Sequence, residues 1–586
     1  MDDVVSGGEA FNSDVMADVL SRLGFRYIVV APGSSFRGLH ESLVNHLGNR
    51  MPEMILALHE EHAVAIAHGY ARVTEEPLAV VVHCNVGVMH ASMAVYNAWC
   101  DRVPMMILAG TGPLDSERRR TPVDWLHAAI DQGAIVRPFT KWDDQPLSIK
   151  ATVESLLRGF QLSTSAPKAP VFITLDQRLQ EDRHQPFALP PAERFAPGAQ
   201  PEPDRAAVDA AARLLASASN PVLLCGRVSR REDDWARRIE LAEMLGATVF
   251  TDFKVGASFP TDHPLHGPDP SIVFTGADGV EMLKRADVIL SLDWWDQATL
   301  FKQVWPDGQV PAKVIRCSLD SYLHRGWTRD HLGLSPVDID ILAAPDRVVP
   351  PLLERLKADS GLAKRAAERR AAREKEGRHI VRKRPLGGDA QAIGLWDIGE
   401  ALDGALRGER FSLVRAPLGW QASSLPIRHP LDYLGADGAA GIGGAPGMSV
   451  GSALALKESG RIPVAVFGDG EFLMAPTALW SASSVDAPLL VIIANNRGYY
   501  IDEQHQAVTS NARGRSVETA GVGQRIQGPD VDLGAIARAQ GFTAPPPVQR
   551  LADLAAAVKA GVAEVKQGGR CFLDVRITPD YLGFPH

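Results

Sequence analysis

The feature that most constrains this chain is the segment VAVFGDGEFLMAPTALWSASSVDAPLLVIIANNRGYY, residues 464–500. Its two β-rich apolar runs, one before Gly468 and one before Asn495, read as buried parallel strands. The stretch between them is long enough for a crossover helix. Strands joined in this way open on the same edge of a sheet, where ligands sit in open α/β folds. Asp469 and Asn496, 27 residues apart, therefore meet at that edge. Each offers a hard oxygen, a donor type suited to Mg2+ completed by phosphate oxygens and water. Gly470 lets backbone approach a phosphate group, and the helix that follows favours negative charge at its start. A lone GDG is an ordinary strand–turn–helix junction. Combined with the helical spacer and the Asn-Asn, it reads as a binding element.

The rest of the chain is organised around similar units. Residues 1–188 alternate β-rich runs (27–31, 78–83, 104–109, 170–175) with helical stretches, the pattern of a parallel α/β sheet. A Pro-rich linker, residues 186–203, leads to a second α/β block at 203–360 with strands in PVLLCGRV, ATVFTDF and ADVILSLDWW. The charged run LLERLKADSGLAKRAAERRAAREKEG, polar on every face, reads as a solvated connector, with a helical linker assigned to 361–389. The third block is 390–586. The fold class expected is three consecutive α/β domains with parallel sheets.

Composition narrows the function classes. A net charge of -9 over 586 residues argues against nucleic acid, which needs clustered Lys and Arg. No apolar run reaches the ~18–20 residues that span a membrane. Five scattered cysteines without a C-x-x-C pair fit reduced thiols, and the acidic N-terminus lacks a hydrophobic signal core. A cytoplasmic enzyme is expected.

Two further segments carry chemistry. In LALHEEHAVAIAHGYARVT, Ala63, Ala67 and Ala71 recur at helical spacing. That places Glu60 near the start of a helix whose small face packs closely on a neighbour. In GADGAAGIGGAPGMSVGSALALK, Ile442 stands between Gly441 and Gly443 in a glycine-rich loop. No strong strand leads into this loop, so it is a poor dinucleotide fingerprint.

Together these segments resemble the GDG…NN signature, the glutamate motif and the glycine-rich stretch of thiamine-diphosphate-dependent enzymes of the decarboxylase and acetohydroxyacid-synthase-like group. The resemblance extends over nearly the whole chain and implies pyrimidine-binding, central and diphosphate-binding domains in that order. It implies that Asp469, Asn496 and the carbonyl of Gly498 bind Mg2+. Gly443, Gly468 and Gly470 would line the thiamine diphosphate, and Ile442 would prop its two rings into a V. Glu60, rather than Glu61, would contact the aminopyrimidine as a protonatable carboxyl, since burial against a ring raises a carboxyl pKa. Glu471 departs from the small residue usual there, so its carboxylate must point away or meet a cation. The resemblance also implies a homodimer or homotetramer with active sites between subunits.

The residues facing the substrate are less typical. His83 aligns with the active-site histidine of benzoylformate decarboxylase, and Ser34 with that enzyme's serine. A histidine there can shuttle protons, and a serine can bind a substrate carboxylate. His90 replaces the usual asparagine, and it reads equally as a packing residue or a diphosphate contact. No His-His pair is visible between 112 and 131. Asp502 and Glu503 read equally as substrate-facing or surface acids, and the tail DYLGFPH could close over the site.

The leading expectation is a lyase that cleaves a carbon–carbon bond next to a carbonyl in a small substrate, such as a 2-oxo acid decarboxylase. The alternatives are an acetolactate-synthase-like carboligase, with FAD in the central domain, and a non-catalytic cofactor-binding paralogue. Cys225-Gly226-Arg227 departs from the glycine run that a flavin site would need.

Overall fold

The computed structural model describes residues 10–120, 123–184, 187–268, 276–322, 333–376, 389–436, 438 and 441–579. The tail at 580–586 and the end of the connector at 377–388 lie outside them. Three parallel sheets follow one another, each with its inner strands buried, as parallel sheets with helices on both faces require. The first holds β1 (Tyr27–Val30), β2 (Glu53–Leu56), β3 (Leu78–Val82), β4 (Met105–Thr111), β5 (Trp142–Asp144) and β6 (Pro170–Asp176), in the order β2-β1-β3-β4-β6-β5. The central sheet holds β7 (Pro221–Cys225), β8 (Thr248–Thr251), β9 (Val288–Leu292), β10 (Lys313–Cys317) and β11 (Ile339–Ile341), ordered β11-β10-β9-β7-β8. The third is β12 (Phe411–Arg415), β13 (Ile462–Gly468), β14 (Leu489–Asn495) and β15 (Arg570–Arg576), in sequence order. In register, Gly468 lies opposite Ala494, so the strand ends that carry Asp469 and Asn496 adjoin as expected.

The outer two sheets share one apolar core, which runs from Val80 and Ile107 to Phe467 and Ile493. Two helices join them, α1 (Glu60–Thr74) and α2 (Ala445–Leu456). Their backbones touch because the residues between them are small. A methyl group on Gly69 would overlap the Met448 carbonyl, and one on Gly451 would overlap that of Ile66. One on Gly447 would lie 2.7 Å from the Ala65 Cβ. Ser452 Oγ donates to the Gly69 carbonyl at 3.0 Å. Buried Arg72 donates to the Ala436 carbonyl, and its guanidinium lies 3.6 Å from Asp101, which also holds His68 at 2.8 Å. The Gly-Tyr-Ala-Arg run of the glutamate motif is thus a helix-packing device.

The charged connector is not solvated on all faces. It forms two helices, α3 (Pro345–Lys357) and α4 (Leu362–Glu376), separated near Gly361. The first buries Val348, Val349, Leu352, Leu353 and Leu356 in the central core. The second seats Leu362 and Ala366 and turns an arginine row inward. Arg365 donates to the Ala216 carbonyl (3.0 Å), Arg369 to Leu245 (2.6 Å) and Ala218, and Arg373 to His266 (3.2 Å). Arginines at i, i+4 and i+8 lie on one helix face, and their heads satisfy carbonyls that would otherwise lack donors. A count of charges does not distinguish that face from a hydrated one.

Gly69→Ala should destabilise the chain by roughly 1–3 kcal/mol, because the clash is with backbone that cannot rotate away. Denaturant unfolding checks this, and a midpoint equal to wild type would show that the helices separate at little cost.

Candidate active site

Two clusters of polar groups lie at the C-terminal ends of the outer sheets. In the third sheet, β13 runs straight into α5 (Asp469–Met474), with Asp469 as its first residue. The crossover is not one helix. It breaks at Ala475-Pro476, where proline lacks the N–H to continue the ladder, and resumes as α6 (Ala478–Ser484). The Asp469 carboxylate is 3% exposed, and burial pushes its pKa up to about 6. Backbone N–H groups of Asn496 and Gly498 pull the other way, while the Asp574 carboxylate adds to the cost. Among the described residues no cationic side chain pairs with it.

The two asparagines divide their work. Asn495 is buried and donates to Asp574 Oδ1 at 2.8 Å, a structural bond. Asn496 carries the available amide, and its Oδ1 accepts from the Gly498 N–H at 3.1 Å. Arg497 between them adopts a left-handed φ of 59°, which swings Gly498 back toward the carboxylate. Gly468 opens on free space, whereas the bare face of Gly470 is covered by the Tyr499 ring. Gly443 takes a left-handed φ of 112° that a side chain would strain, and neighbouring Ile442 is exposed. Glu471 meets a cation: its carboxylate is buried against Arg415 at 3.2 Å. Asp502 is exposed, and Glu503 pairs with Arg525 at 2.5 Å.

In the first sheet, β1, β2 and β3 are neighbours, and their ends bring together residues 33–35, 59–60 and 83–84. Glu60 opens α1, whose N-cap His59 accepts from the Glu61 N–H at 3.2 Å. The Glu60 carboxylate lies 3.1 Å from His90 Nδ1, and His90 stacks on His59 with ring centroids 5.0 Å apart. Glu61 turns the other way, toward Gly443 of the third block. The register thus separates the two acids: Glu60 faces the histidines and Glu61 faces its own chain's glycine loop.

His83 stands beside Glu60 across Gly87. Ser34 is exposed. Its neighbour Ser35 is buried, and its Oγ lies 2.8 Å from His83 Nδ1. Gly33 permits this, since a Cβ there would sit 2.7 Å from the imidazole. The His127 ring approaches His83 edge-on at 4.9 Å. Burial, then His127, lower the His83 pKa, while Glu60 raises it. The region 112–131 lacks adjacent histidines but supplies one that pairs with a histidine 44 residues upstream. No local spacing signals that pair.

Three parallel α/β domains with polar clusters at the strand ends of the outer two define a cofactor-dependent enzyme of the α/β class. More particularly, the chain belongs to the thiamine pyrophosphate enzyme family. Residues 12–135 match its N-terminal TPP binding domain, 208–320 its central domain and 417–575 its C-terminal TPP binding domain. It is 27% identical over 567 residues to a Pseudomonas aeruginosa protein named as a probable 2-ketoarginine decarboxylase, covering 92% of this chain and 89% of that one. It is 26% identical over 458 residues to benzoylformate decarboxylase of the same species (76% and 79%), and 21% identical over 499 residues to a Bacillus subtilis acetolactate synthase (83% and 81%). Among solved structures, a 4-hydroxybenzoylformate decarboxylase from Rhodococcus jostii shares the fold with a TM-score of 0.75 at 19% identity, covering 97% of this chain and 100% of that one.

The donor set fits the family's cofactor. A buried carboxylate without a cation, an adjacent amide oxygen and an open glycine edge suit a divalent ion carrying a diphosphate. Because Asp469 titrates near pH 6, protons should compete with that ion. Its raised pKa makes the charged form unfavourable, so the carboxylate's contribution to apo stability is full below its unfolded pKa and is lost as pH rises through about 6. Metal-dependent cofactor affinity should run the opposite way, falling up to about tenfold per pH unit below 6. Calorimetric titration between pH 5 and 8 checks this, and a flat profile would remove Asp469 from the ion's ligands.

Proposed function

We propose that this chain is a 2-oxo acid decarboxylase that uses thiamine diphosphate held through Mg2+. The observation that carries the reading is the cluster at the first sheet's edge: a helix-initiating carboxyl, Glu60, beside the His83–His127 pair. When bound, thiamine diphosphate supplies the nucleophilic carbon and the electron sink for the severed bond. Asp469, the Asn496 side chain and the Gly498 carbonyl would hold the ion. The N-terminus of α5 would face the diphosphate, and Ile442 on the glycine loop would brace the cofactor from the apolar side.

Glu60 would hydrogen-bond the cofactor's aminopyrimidine nitrogen. The lowered pKa of His83 leaves its imidazole neutral at pH 7, able to accept a proton and return it. Ser35 would fix the ring, and the exposed Ser34 would meet a substrate carboxylate. The edge of this cluster is apolar and exposed, with Met89 and Met93 on the helix after His83 and Trp125 and Leu126 beside His127. Such a rim around a polar cleft supports docking of a second copy, with Glu60 of one subunit facing the Asp469 cluster of the other.

Similarity to acetolactate synthases supports a carboligase as the alternative, but a flavin suits the central domain poorly. A side chain on Gly226 would meet the Asp293–Trp294 backbone, so this glycine serves strand packing, and Arg102 from the first domain pairs with Asp293 and Asp320 at the ends of the central strands. We therefore propose turnover without FAD. The five cysteines, all free and buried, suit a reducing cytoplasm. Among the described residues no helix is long and apolar enough to cross a membrane.

A screen of 2-oxo acids for CO2 release tests the reading. Glu60→Gln should cut turnover by about 100-fold or more while Mg2+-dependent cofactor binding persists. Near-normal turnover in that variant would refute the role of Glu60, and loss of binding would show that the residue holds the fold instead.

A further inference from the structure

Cys84 follows His83 at the end of β3 and is fully buried, and it has no part in the reading above. One ligand atom from each of His83, Cys84 and His127 lies within 4.8 Å of the other two. Two imidazoles and a thiol form a borderline-soft donor set, unlike the oxygens around Asp469. We propose that His83, Cys84 and His127 form a binding site for a soft divalent ion of the Zn2+ class, and that the bound ion shuts the substrate cleft. The inhibition half rests on the proton-transferring role proposed for His83, whereas the binding half stands without it.

Three features prepare the site. Ser35 Oγ, 2.8 Å from His83 Nδ1, fixes the ring as an outer-shell partner does for a metal-bound histidine. Cys84 is the N-cap of the 16-residue helix Asn85–Cys100, where backbone dipoles favour a thiolate. His127 comes from the segment after β4, outside the sheet, so it can close onto an ion without disturbing the strands. With three protein ligands the ion keeps an open coordination position, unlike a closed structural site.

Burial raises the Cys84 thiol, with Glu60 adding to the shift, and backbone N–H groups oppose it. Binding of an ion through the thiolate releases the Cys84 proton, so uptake should be accompanied by acid release. His83 faces His127 across an edge-on ring contact of 4.9 Å. The other His-rich cluster, His59 with Glu60 and His90, lacks sulfur and includes a half-exposed histidine, so it should take the same ions more weakly.

The experiment uses the full chain loaded with thiamine diphosphate and Mg2+ and titrates it with Co2+, a spectroscopic substitute for Zn2+. A near-ultraviolet thiolate-to-metal band and intense tetrahedral visible bands should appear together and be displaced by Zn2+. Cys84→Ser should lose the thiolate band, and His127→Gln should weaken Co2+ binding by about tenfold or more. Asp469→Asn should keep both features, because the hard-oxygen site is separate. Zn2+ should inhibit wild-type turnover at concentrations that leave Cys84→Ser, compared with its own rate in Mg2+ without Zn2+, uninhibited.

Absence of a thiolate band at millimolar Co2+, or its persistence in Cys84→Ser, would overturn the site. A band without inhibition by Zn2+ would overturn the blocking role. If no 2-oxo acid is turned over, the optical titration still decides the site, so failure of the decarboxylase reading and failure of this one are distinguishable.

Discussion

The contact between α1 and α2 is the interaction on which the rest of the structure depends. It joins two sheets that are far apart in sequence, and the same two helices border both polar clusters. Glu60 is the first residue of α1, and Ile442 and Gly443 lie just before α2. The backbones can approach this closely only because Gly69, Gly447 and Gly451 leave room, so a side chain added at this seam would shift residues that lie a turn or two away at the sites. Close packing transmits such displacements because protein interiors contain few voids to absorb them. The buried His68–Asp101–Arg72 group adds direction to a contact that dispersion alone would leave free to slide.

Two acids are buried at the third sheet's edge, and they are handled in different ways. Glu471 is neutralised within the chain by Arg415, a pair fully removed from water. Asp469, two residues earlier, has only N–H dipoles and a second carboxylate nearby. The fold thus supplies a guanidinium to one acid and not to its neighbour, the asymmetry that the proposed metal role of Asp469 would use. The departure at Glu471 thus does not disturb the element around it, because its compensation comes from β12 rather than from a ligand.

Much of this was legible in the sequence. The outer strands, the Asp469–Asn496 juxtaposition and the helix start at Glu60 follow from apolar runs and spacing, because local propensity and tertiary structure agree there. What was not legible depends on contacts between segments remote in sequence. The buried serine on His83 is Ser35, not the exposed Ser34, because residues 34–36 form a 3-10 turn that sends Ser35 and Phe36 inward and leaves Ser34 outside. His127 becomes the partner of His83 through the fold of a loop with no periodicity of its own. The arginine row of α4 looks solvated until the carbonyls it serves are in place. In each case the deciding information is which groups lack a hydrogen-bond partner until the chain folds.

The two clusters are chemically unlike, and that difference follows from the elements that carry them. At the third sheet the donors are a carboxylate, an amide and a carbonyl on a strand–helix turn, geometry that suits a hard ion and a phosphate. At the first sheet they are imidazoles, a thiol and a carboxyl around a helix start, a set in which nitrogen and sulfur predominate. With the roles proposed for them, separate sheets would keep the hard ion from capture by nitrogen and sulfur, and would keep the proton-transferring groups from becoming its ligands. A single sheet edge holding all of these groups would let one metal silence the acid–base chemistry. The seam between α1 and α2 gives each set its own edge while holding both to one rigid core.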